Sequence, residues 1–506
     1  DQPDDAAVIT VPPGKVAVHT VDFFRSFVDD PYIFGQVAVV HALGDCWAMG
    51  AEPHAALAIA QVPYGLEPQV EETLYQMMIN LLKESKVSAD QILSIGITNQ
   101  RETVVVWDRI TGIPIYNAIV WQDKRTAAYA QSFKDTEEGE YITDNTGLIP
   151  DAYFSGTKLK WILDQDKNRS RTLLCGTIDT WIIWKLTEGR SHYTDQTNAS
   201  RTMLFNIKSL KWDQKLMDLM DIPLKILPTV LPSMADYGYT VIDGHKITIN
   251  GVAGDQQSAL FGQACYDIGM AKNTYGTGCF MLMNIGSNAI KSKNGLLTTL
   301  TCTDNNQPEY ALEGSVFIAG AALQWLRDGL SLISNSKETE DIAYSVEEDD
   351  VVVVPAFAGL GAPYWDMSAR GAIFGLTRSA DSDQIIKATL DSLAYQTVDV
   401  IKAMEKDSGI EIKSLQVDGG ACNNNYLMQI QSDLLNVLVE RPTEVETTAL
   451  GAAYLAGIQI GVWTRDNVIR NRAVDRKFTP EMSDTKRQLK LARWADAVIR
   501  TRGWIK

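Results

Sequence analysis

An α/β fold is what this sequence predicts, and three observations carry it. Short runs of β-branched and aliphatic residues alternate with longer stretches whose apolar residues recur at helical spacing. Glycine turns follow apolar runs, as in YGTG from Tyr275 and VDGG from Val417. The length of 506 residues exceeds what one hydrophobic core organises, which predicts roughly two to four domains.

In chain order, QILSIGIT (91–98) and ETVVVWD (102–108) read as strands, being short and rich in Ile and Val. TKLKWILDQ (157–165) reads as an amphipathic helix. YALEGSVF (310–317), DVVVVPAF (350–357) and SLQVDGG (414–420) are further strands, and AGAALQWLRDGLSLI (319–333) is a helix between them. A long helix is predicted from an N-cap at Ser382 to a C-terminal Gly409. The last helix, ARWADAVIRTRGWIK (492–506), carries basic residues towards its end, as the helix dipole prefers. TDNNQPE from Thr303 predicts a hairpin tip. The glycines clustered at 251–262 mark a candidate domain boundary and a hinge for a cleft.

Composition bounds the function. An apolar fraction of 45% and a charged fraction of 22% are those of an ordinary globular protein. The net charge of −17 argues against nucleic acid or an anionic membrane as partners. No apolar run approaches the roughly 20 residues that span a bilayer, and no basic-then-apolar signal segment opens the chain. The six cysteines are scattered, with no metal-type spacing, which predicts reduced thiols and a cytoplasmic location.

The most informative segment is GVAGDQQSALFGQ (251–263), followed by YGTGCFMLMN from Tyr275. Asp255 and Gln256 stand among small residues that admit a ligand close to the backbone. Gly276, Thr277 and Gly278 form a turn of the kind whose amides suit a phosphate. A carboxylate beside a phosphate cradle is the minimum equipment for deprotonating an alcohol and phosphorylating it. On these residues alone, a solvated aspartate beside an ordinary glycine turn is an equal account.

Further segments add weight: GITNQRETVVVWD from Gly96, YFSGTKLKWILDQ from Tyr153, and GLGAPYWDMSARGAIFGLT from Gly359. With the two above, their wording and order resemble the FGGY carbohydrate kinases, and among these the glycerol kinases, from about Ile79 to Lys506. The resemblance implies two ribonuclease-H-like domains of the actin-like ATPase type with a cleft between them. It sets 79–262 on the substrate side and 263–506 on the nucleotide side. It further implies ATP-dependent phosphorylation of glycerol to glycerol 3-phosphate, with ATP and Mg²⁺ as cofactors and a homodimer or homotetramer as the assembly.

Residue by residue, the resemblance makes Asp255 the general base. Arg101, Glu102, Tyr153 and Gln256 become partners of the glycerol hydroxyls, with Trp121 and Phe280 as walls against its carbons. Thr277, Gly320 and Gln324 become contacts of the nucleotide, and Gly420 and Asn424 its adenosine turn. Without the family, Arg101 and Glu102 would read as a surface ion pair and the aromatics as core. Two departures stand out. Cys279 occupies a position expected to be glycine, beside the phosphate and substrate sites, where a thiol crowds the pocket, makes it thiol-sensitive, or is small enough to be harmless. Tyr239, in YGYT, replaces the phosphorylatable histidine of some bacterial relatives, so that control is not expected.

Glycerol kinases open with a DxGTTxxR-like phosphate loop that supplies a metal aspartate, and no such word occurs in this sequence. Residues 1–78 instead resemble a fragment of the selenophosphate synthetases, through DDAAVI, TVDFFRSFVDDPYIFGQVAVVHALGDCWAMGAEP and LAIAQVPYGLEPQVEETLYQMM. In that family the equivalents of Asp5, Asp22 and Asp45 lie at or near the Mg-ATP site. The two resemblances join inside VEETLYQMMINLLKES, without a Gly/Ser/Pro linker. The chain therefore reads as a chimera with a truncated first kinase domain, its phosphoryl transfer slowed by the lost loop. A chain that binds adenine nucleotide or glycerol without turnover is the alternative, and selenophosphate synthesis by the N-terminal part ranks below both.

Overall fold

The computed structural model describes residues 6–11, 15–20, 87–168, 171–303, 307–347 and 350–505. Asp5, Asp22 and Asp45, the join at 70–85 and the centre of the Thr303 turn lie outside them. The chain divides into two compact units, Asp1–Ile95 with Asp236–Asn250, and Gly96–Ala235 with Gly251–Lys506.

In the first unit, Ala6–Val11 pairs antiparallel with Lys15–Thr20, from Ala6↔Thr20 to Val11↔Lys15. A second hairpin pairs Tyr239 with Thr248 and Ile242 with His245. Its two-residue tip is Asp243-Gly244, with φ of 48° and 79°, the left-handed pair that a right-twisted hairpin demands. Ala89, Ile242 and Ile247 are buried together. The Ser94 hydroxyl donates to Asn250 Oδ1 at 2.8 Å.

The second unit begins with Val104–Asp108 (β1), Ser155–Gln165 (α1) and Leu173–Thr177 (β2). β1 and β2 pair antiparallel from Val104↔Thr177 to Asp108↔Leu173. Val104 and Val106 meet Leu159 and Ile162 of α1 in one buried cluster. Next come Asp255–Gly262 (α2), Met270–Tyr275 (β3), Cys279–Gly286 (β4), Leu297–Leu300 (β5), Tyr310–Val316 (β6) and Gly320–Gln324 (α3). Ser382–Ser408 (α4), Ser414–Asp418 (β7), Asn425–Leu435 (α5), Leu438–Pro442 (β8), Thr447–Gln459 (α6), Val474–Phe478 (β9) and Asp484–Thr501 (α7) complete the elements that matter here.

Seven strands form one sheet in the order β5-β6-β4-β3-β7-β8-β9. The β5 to β3 neighbours are antiparallel, β3, β7 and β8 run parallel, and β9 returns antiparallel. Register decides what each face carries, because strand side chains alternate between faces. Lys272 lies opposite Leu282 and Gln416, Thr274 opposite Phe280 and Asp418, and Glu313 opposite Leu282. One face therefore bears a row of polar and charged groups. The other carries Ala271, Tyr275, Cys279, Met281, Met283 and Leu312, which join Leu390, Leu393, Val398 and Ile401 of α4 in the largest core.

α4 is delimited by local chemistry. Asp381 accepts from the amides of Asp383 and Gln384, Gln384 returns a bond to the Asp381 amide, and Gly409 closes the helix at φ 67°. The cap is thus Asp381, one residue before the predicted Ser382. The helix predicted over 319–333 divides into α3 and a π-helical turn, Trp325–Gly329. The predicted strand at 350–357 keeps only Val352–Val354, and the last helix starts earlier, at Asp484.

The 251–262 glycines are not a linker. Gly251 lies within the strand His245–Gly254 and Gly262 ends α2, and a Cβ would lie 2.5 Å from the Ala456 nitrogen at the first and 2.2 Å from the Thr447 oxygen at the second, both in α6. They are glycines because backbone packs on backbone there.

Candidate active site

The residues expected on the substrate side are assembled around a strained turn. Glu102 sits at φ 65° between Arg101 and Thr103, whose amide donates back to the Arg101 carbonyl at 2.8 Å. Such a conformation in a non-glycine residue persists only where the surroundings over-determine it. They do so here. Ser155 Oγ and Lys158 Nζ of α1 donate to the Glu102 carbonyl at 3.2 and 3.0 Å, and Arg201 Nε donates to its carboxylate at 2.6 Å.

The turn aims Arg101 at two acceptors, Glu313 and Gln257, and brings it into an ion pair with Asp255. Its Nη1 and Nη2 donate to Glu313 of β6 at 2.7 and 2.9 Å, Nη1 also reaches Gln257 Oε1 at 3.2 Å, and Nε lies 3.2 Å from Asp255 Oδ1. Arg201 grips the same Glu313 at 3.2 and 3.0 Å. Both arginines, Glu102 and Glu313 are buried, whereas the Asp255 side chain is 30% exposed. Asp255 is the most exposed charge of this cluster.

Electrostatics follow from that burial. Burial opposes the charge of Arg101, yet Glu313, Glu102 and Asp255 hold its guanidinium well above the usual range. Burial raises Glu102 against the pull of Arg101 and Arg201. For Glu313 the burial penalty is overruled by the same two arginines, which hold its carboxyl at about 2.

Gln256 follows Asp255 at the start of α2. Its amide N–H donates to Asp255 Oδ1 at 2.8 Å and its Nε2 lies 3.3 Å from Asp255 Oδ2. Tyr153 precedes α1 with its ring edge-on to Trp121, centroids 5.7 Å apart, and the Arg201 guanidinium stands 5.8 Å from the Tyr153 ring. Phe280 shares the polar face of the sheet with Thr274 and is half-buried.

The residues expected on the nucleotide side collect at the ends of β3 and β7. Gly276, Thr277 and Gly278 turn β3 into β4, leaving Thr277 exposed. The Gly320 amide at the start of α3 donates to the Gly276 carbonyl at 3.0 Å, and those of Ala319 and Ala321 to the Thr277 carbonyl. Gly419, at φ 81°, packs so closely on Tyr275 that a Cβ would lie 2.6 Å from its carbonyl oxygen. Thr277, Gly320 and Gly420 therefore gather beyond the ends of two central strands, β3 and β7. Gln324 is exposed at the last turn of α3. Asn424 has its side chain committed: Oδ1 caps α5 through Leu427 and Nδ2 donates to Thr339 Oγ1 at 3.1 Å.

Of the alternatives for Cys279, the harmless one fits its place in the sheet. Its partners in the sheet are Tyr275 and Val316, it faces the core under α4, and burial pushes its thiol up to about 12. Phe280, one residue on, takes the opposite face. Arg201, Glu313, Lys158 and Lys272 are groups that motif reading passed over. The available signal was a lone charge within an apolar strand, Glu313 in YALEGSVF and Lys272 in MAKNTY.

Comparison with known proteins agrees with this architecture. The profile of the FGGY family of carbohydrate kinases, N-terminal domain, matches residues 68–262, and that of its C-terminal domain matches 271–460. The profile of the AIR synthase related protein, N-terminal domain, matches residues 3–89. A glycerol kinase of Fusobacterium nucleatum is 56% identical over 439 residues, 85% of this chain and 88% of that protein. One of Clostridium botulinum is 56% identical over 432 residues, 84% and 87% of the two chains. The crystal structure of Plasmodium falciparum glycerol kinase with ADP superposes with a TM-score of 0.82 at 37% identity, over 89% of this chain and 94% of that one. Ligand-bound xylulose kinase from Lactobacillus acidophilus, 18% identical with a TM-score of 0.71 over 96% and 92% of the two chains, shares the fold. With these matches across both halves of the architecture, the chain belongs to the FGGY family of carbohydrate kinases, among the glycerol kinases.

Proposed function

We propose that this chain transfers the γ-phosphoryl group of ATP to glycerol, giving glycerol 3-phosphate and ADP. The observation that carries the reading is the half-open Asp255 carboxylate, held 3.2 Å from a buried arginine that Glu313 locks in place. In this reading Asp255 takes the proton of the attacking hydroxyl. That oxygen bonds to the γ-phosphorus as the bond to the β-phosphate oxygen breaks, ADP leaves with the electron pair, and the proton passes from Asp255 to water.

Arg101, Glu102, Tyr153 and Gln256 hold the hydroxyls, and Trp121 and Phe280 flank the carbons. Thr277, Gly320 and Gln324 face the phosphates and ribose, with Gly420 and Asn424 at the adenosine. Residues 79–262 form the substrate half, 263–506 the nucleotide half, and 1–78 a segment of separate origin. Among the described residues no group of three or more His, Cys, Asp or Glu is placed to hold a metal. Magnesium carried by the nucleotide needs only one or two carboxylates beside the phosphates and water. When bound, it neutralises charge on the transferring group. No helix among the described residues is long and apolar enough to cross a membrane. A cytoplasmic homodimer or homotetramer accords with the family.

A coupled assay of glycerol-dependent ADP release tests the proposal. Release that rises with glycerol and vanishes without it is expected. Glycerol or ADP binding with no release at high protein concentration would replace it with binding alone.

A further inference from the structure

Lys272 is buried on the polar face of the sheet, with no ion-pair partner within 4.0 Å among the described residues. Its Nζ donates to Gln256 Oε1 and, at 2.8 Å, to Thr274 Oγ1. Burial lowers its affinity for the proton, and Asp418 and Asp255 oppose that drift. Arg101 and Glu313 are the other charged groups near it. Asp418 is itself engaged by Gln263 Nε2 at 3.1 Å and by the Thr447 hydroxyl. An ammonium kept dry beside two neutral oxygens is a costly arrangement, and what it secures is directional.

An ammonium can only donate, so Gln256 has one amide orientation that satisfies it: Oε1 towards Lys272, Nε2 towards Asp255. We infer that Lys272 is a positioning residue that fixes the polarity of the acceptor site, so that Gln256 offers a donor, and never an acceptor, beside the proton-accepting Asp255. This rests on the proposed glycerol reading of the same site. A hydroxyl bound there gives its proton to Asp255 and receives a hydrogen bond from Gln256, which orients its lone pair for attack. Without Lys272 the amide is free to flip, turning Oε1 on the carboxylate and on the substrate oxygen. Lys272 has no exposed surface, so its effect on a bound hydroxyl passes through Gln256.

The test compares wild type, K272M, Q256A and the double variant, measuring kcat and KM for glycerol and for ATP, and glycerol affinity by calorimetry. Met is close in shape to Lys and removes the buried charge, at the cost of the donor to Gln256 and Thr274. K272M is expected to lower kcat/KM for glycerol about 10- to 100-fold while KM for ATP moves less than about 2-fold, and the double variant should be no worse than Q256A. Additive losses, or an unchanged kcat/KM for glycerol in K272M, overturn the inference. Q256E answers the same question without touching Lys272: it keeps a partner for the ammonium but loses the donor. It should fall as far as Q256A, and wild-type kcat/KM in Q256E overturns the inference even if K272M does not fold. A wild-type chain that binds glycerol without turnover fails the kinase reading alone, and the affinities then carry the comparison. A wild-type chain that does not bind glycerol ends both.

Discussion

Replacing Glu313 by Gln removes one charge from the centre of the buried cluster and changes little else in shape. Glu313 accepts four hydrogen bonds, at 2.7 and 2.9 Å from Arg101 and at 3.2 and 3.0 Å from Arg201. Burial works against its carboxylate, but the two guanidiniums hold it at about 2 against an ordinary 4.5. At roughly 1.4 kcal/mol per pH unit, the folded state favours the charged form by about 3 kcal/mol. Removing one partner of a buried ion pair independently suggests about 3–5 kcal/mol. E313Q should therefore lose about 3 kcal/mol of stability at pH 7, a large share of the roughly 5–15 kcal/mol that a folded protein holds in total. The pH dependence has a definite sign. A carboxyl depressed on folding contributes fully above its unfolded value, near 4.5, and the contribution is lost as pH falls towards 2. Denaturant titrations of both proteins should show a constant gap from pH 7 to about 5 that narrows below 4.5. With Arg101 no longer clamped, kcat/KM for glycerol should fall on the order of tenfold or more. A gap under about 1 kcal/mol at pH 7, or one that widens on acidification, would refute the argument.

Asp255→Asn keeps an acceptor for Arg101 and loses the base, so kcat should fall about 10²–10⁴-fold while ADP affinity by calorimetry stays within about twofold; undiminished turnover removes Asp255 from the chemistry. Asp399 accepts from Trp494 Nε1 at 2.6 Å and Tyr364 at 2.9 Å, and its burial raises it to about 6. A carboxyl raised on folding stabilises at low pH and loses that contribution as pH climbs towards 6. Asp399→Asn should thus gain up to about 3 kcal/mol at pH 7.5 and nothing at pH 4, and a variant less stable than wild type at pH 7.5 contradicts this. Cys175, Cys265, Cys279, Cys302 and Cys422 are all buried, and burial raises every one of these thiols. No more than one of the six thiols should react with an aromatic disulfide reagent before unfolding; two or more reacting in the native protein would show a core open to solvent.

The parts of this protein legible in its sequence are those decided within a few residues. α4 carries its own stop signals, an Asp381–Gln384 capping box and a left-handed Gly409, and its ends were read to within one residue. β1, β6 and β7 announce themselves by short apolar runs, and Asp255 by the small residues and amide around it. The strand expected at 350–357 failed beyond Val354 because apolar composition does not guarantee a pairing partner.

What only tertiary structure decided is which side each residue faces and whom it meets. Arg101 reaches Glu313 across 212 positions, and no local pattern links them. Cys279 and Phe280 are neighbours in sequence, yet one lies in the core and the other on the polar face, because a strand turns successive side chains to opposite sides. Slipping the register by one residue would exchange Lys272, Thr274 and Glu313 with the apolar set beneath α4. Caps and periodicity belong to the chain, whereas the charged cluster behind Asp255 belongs to the register of a sheet whose strands lie far apart in sequence.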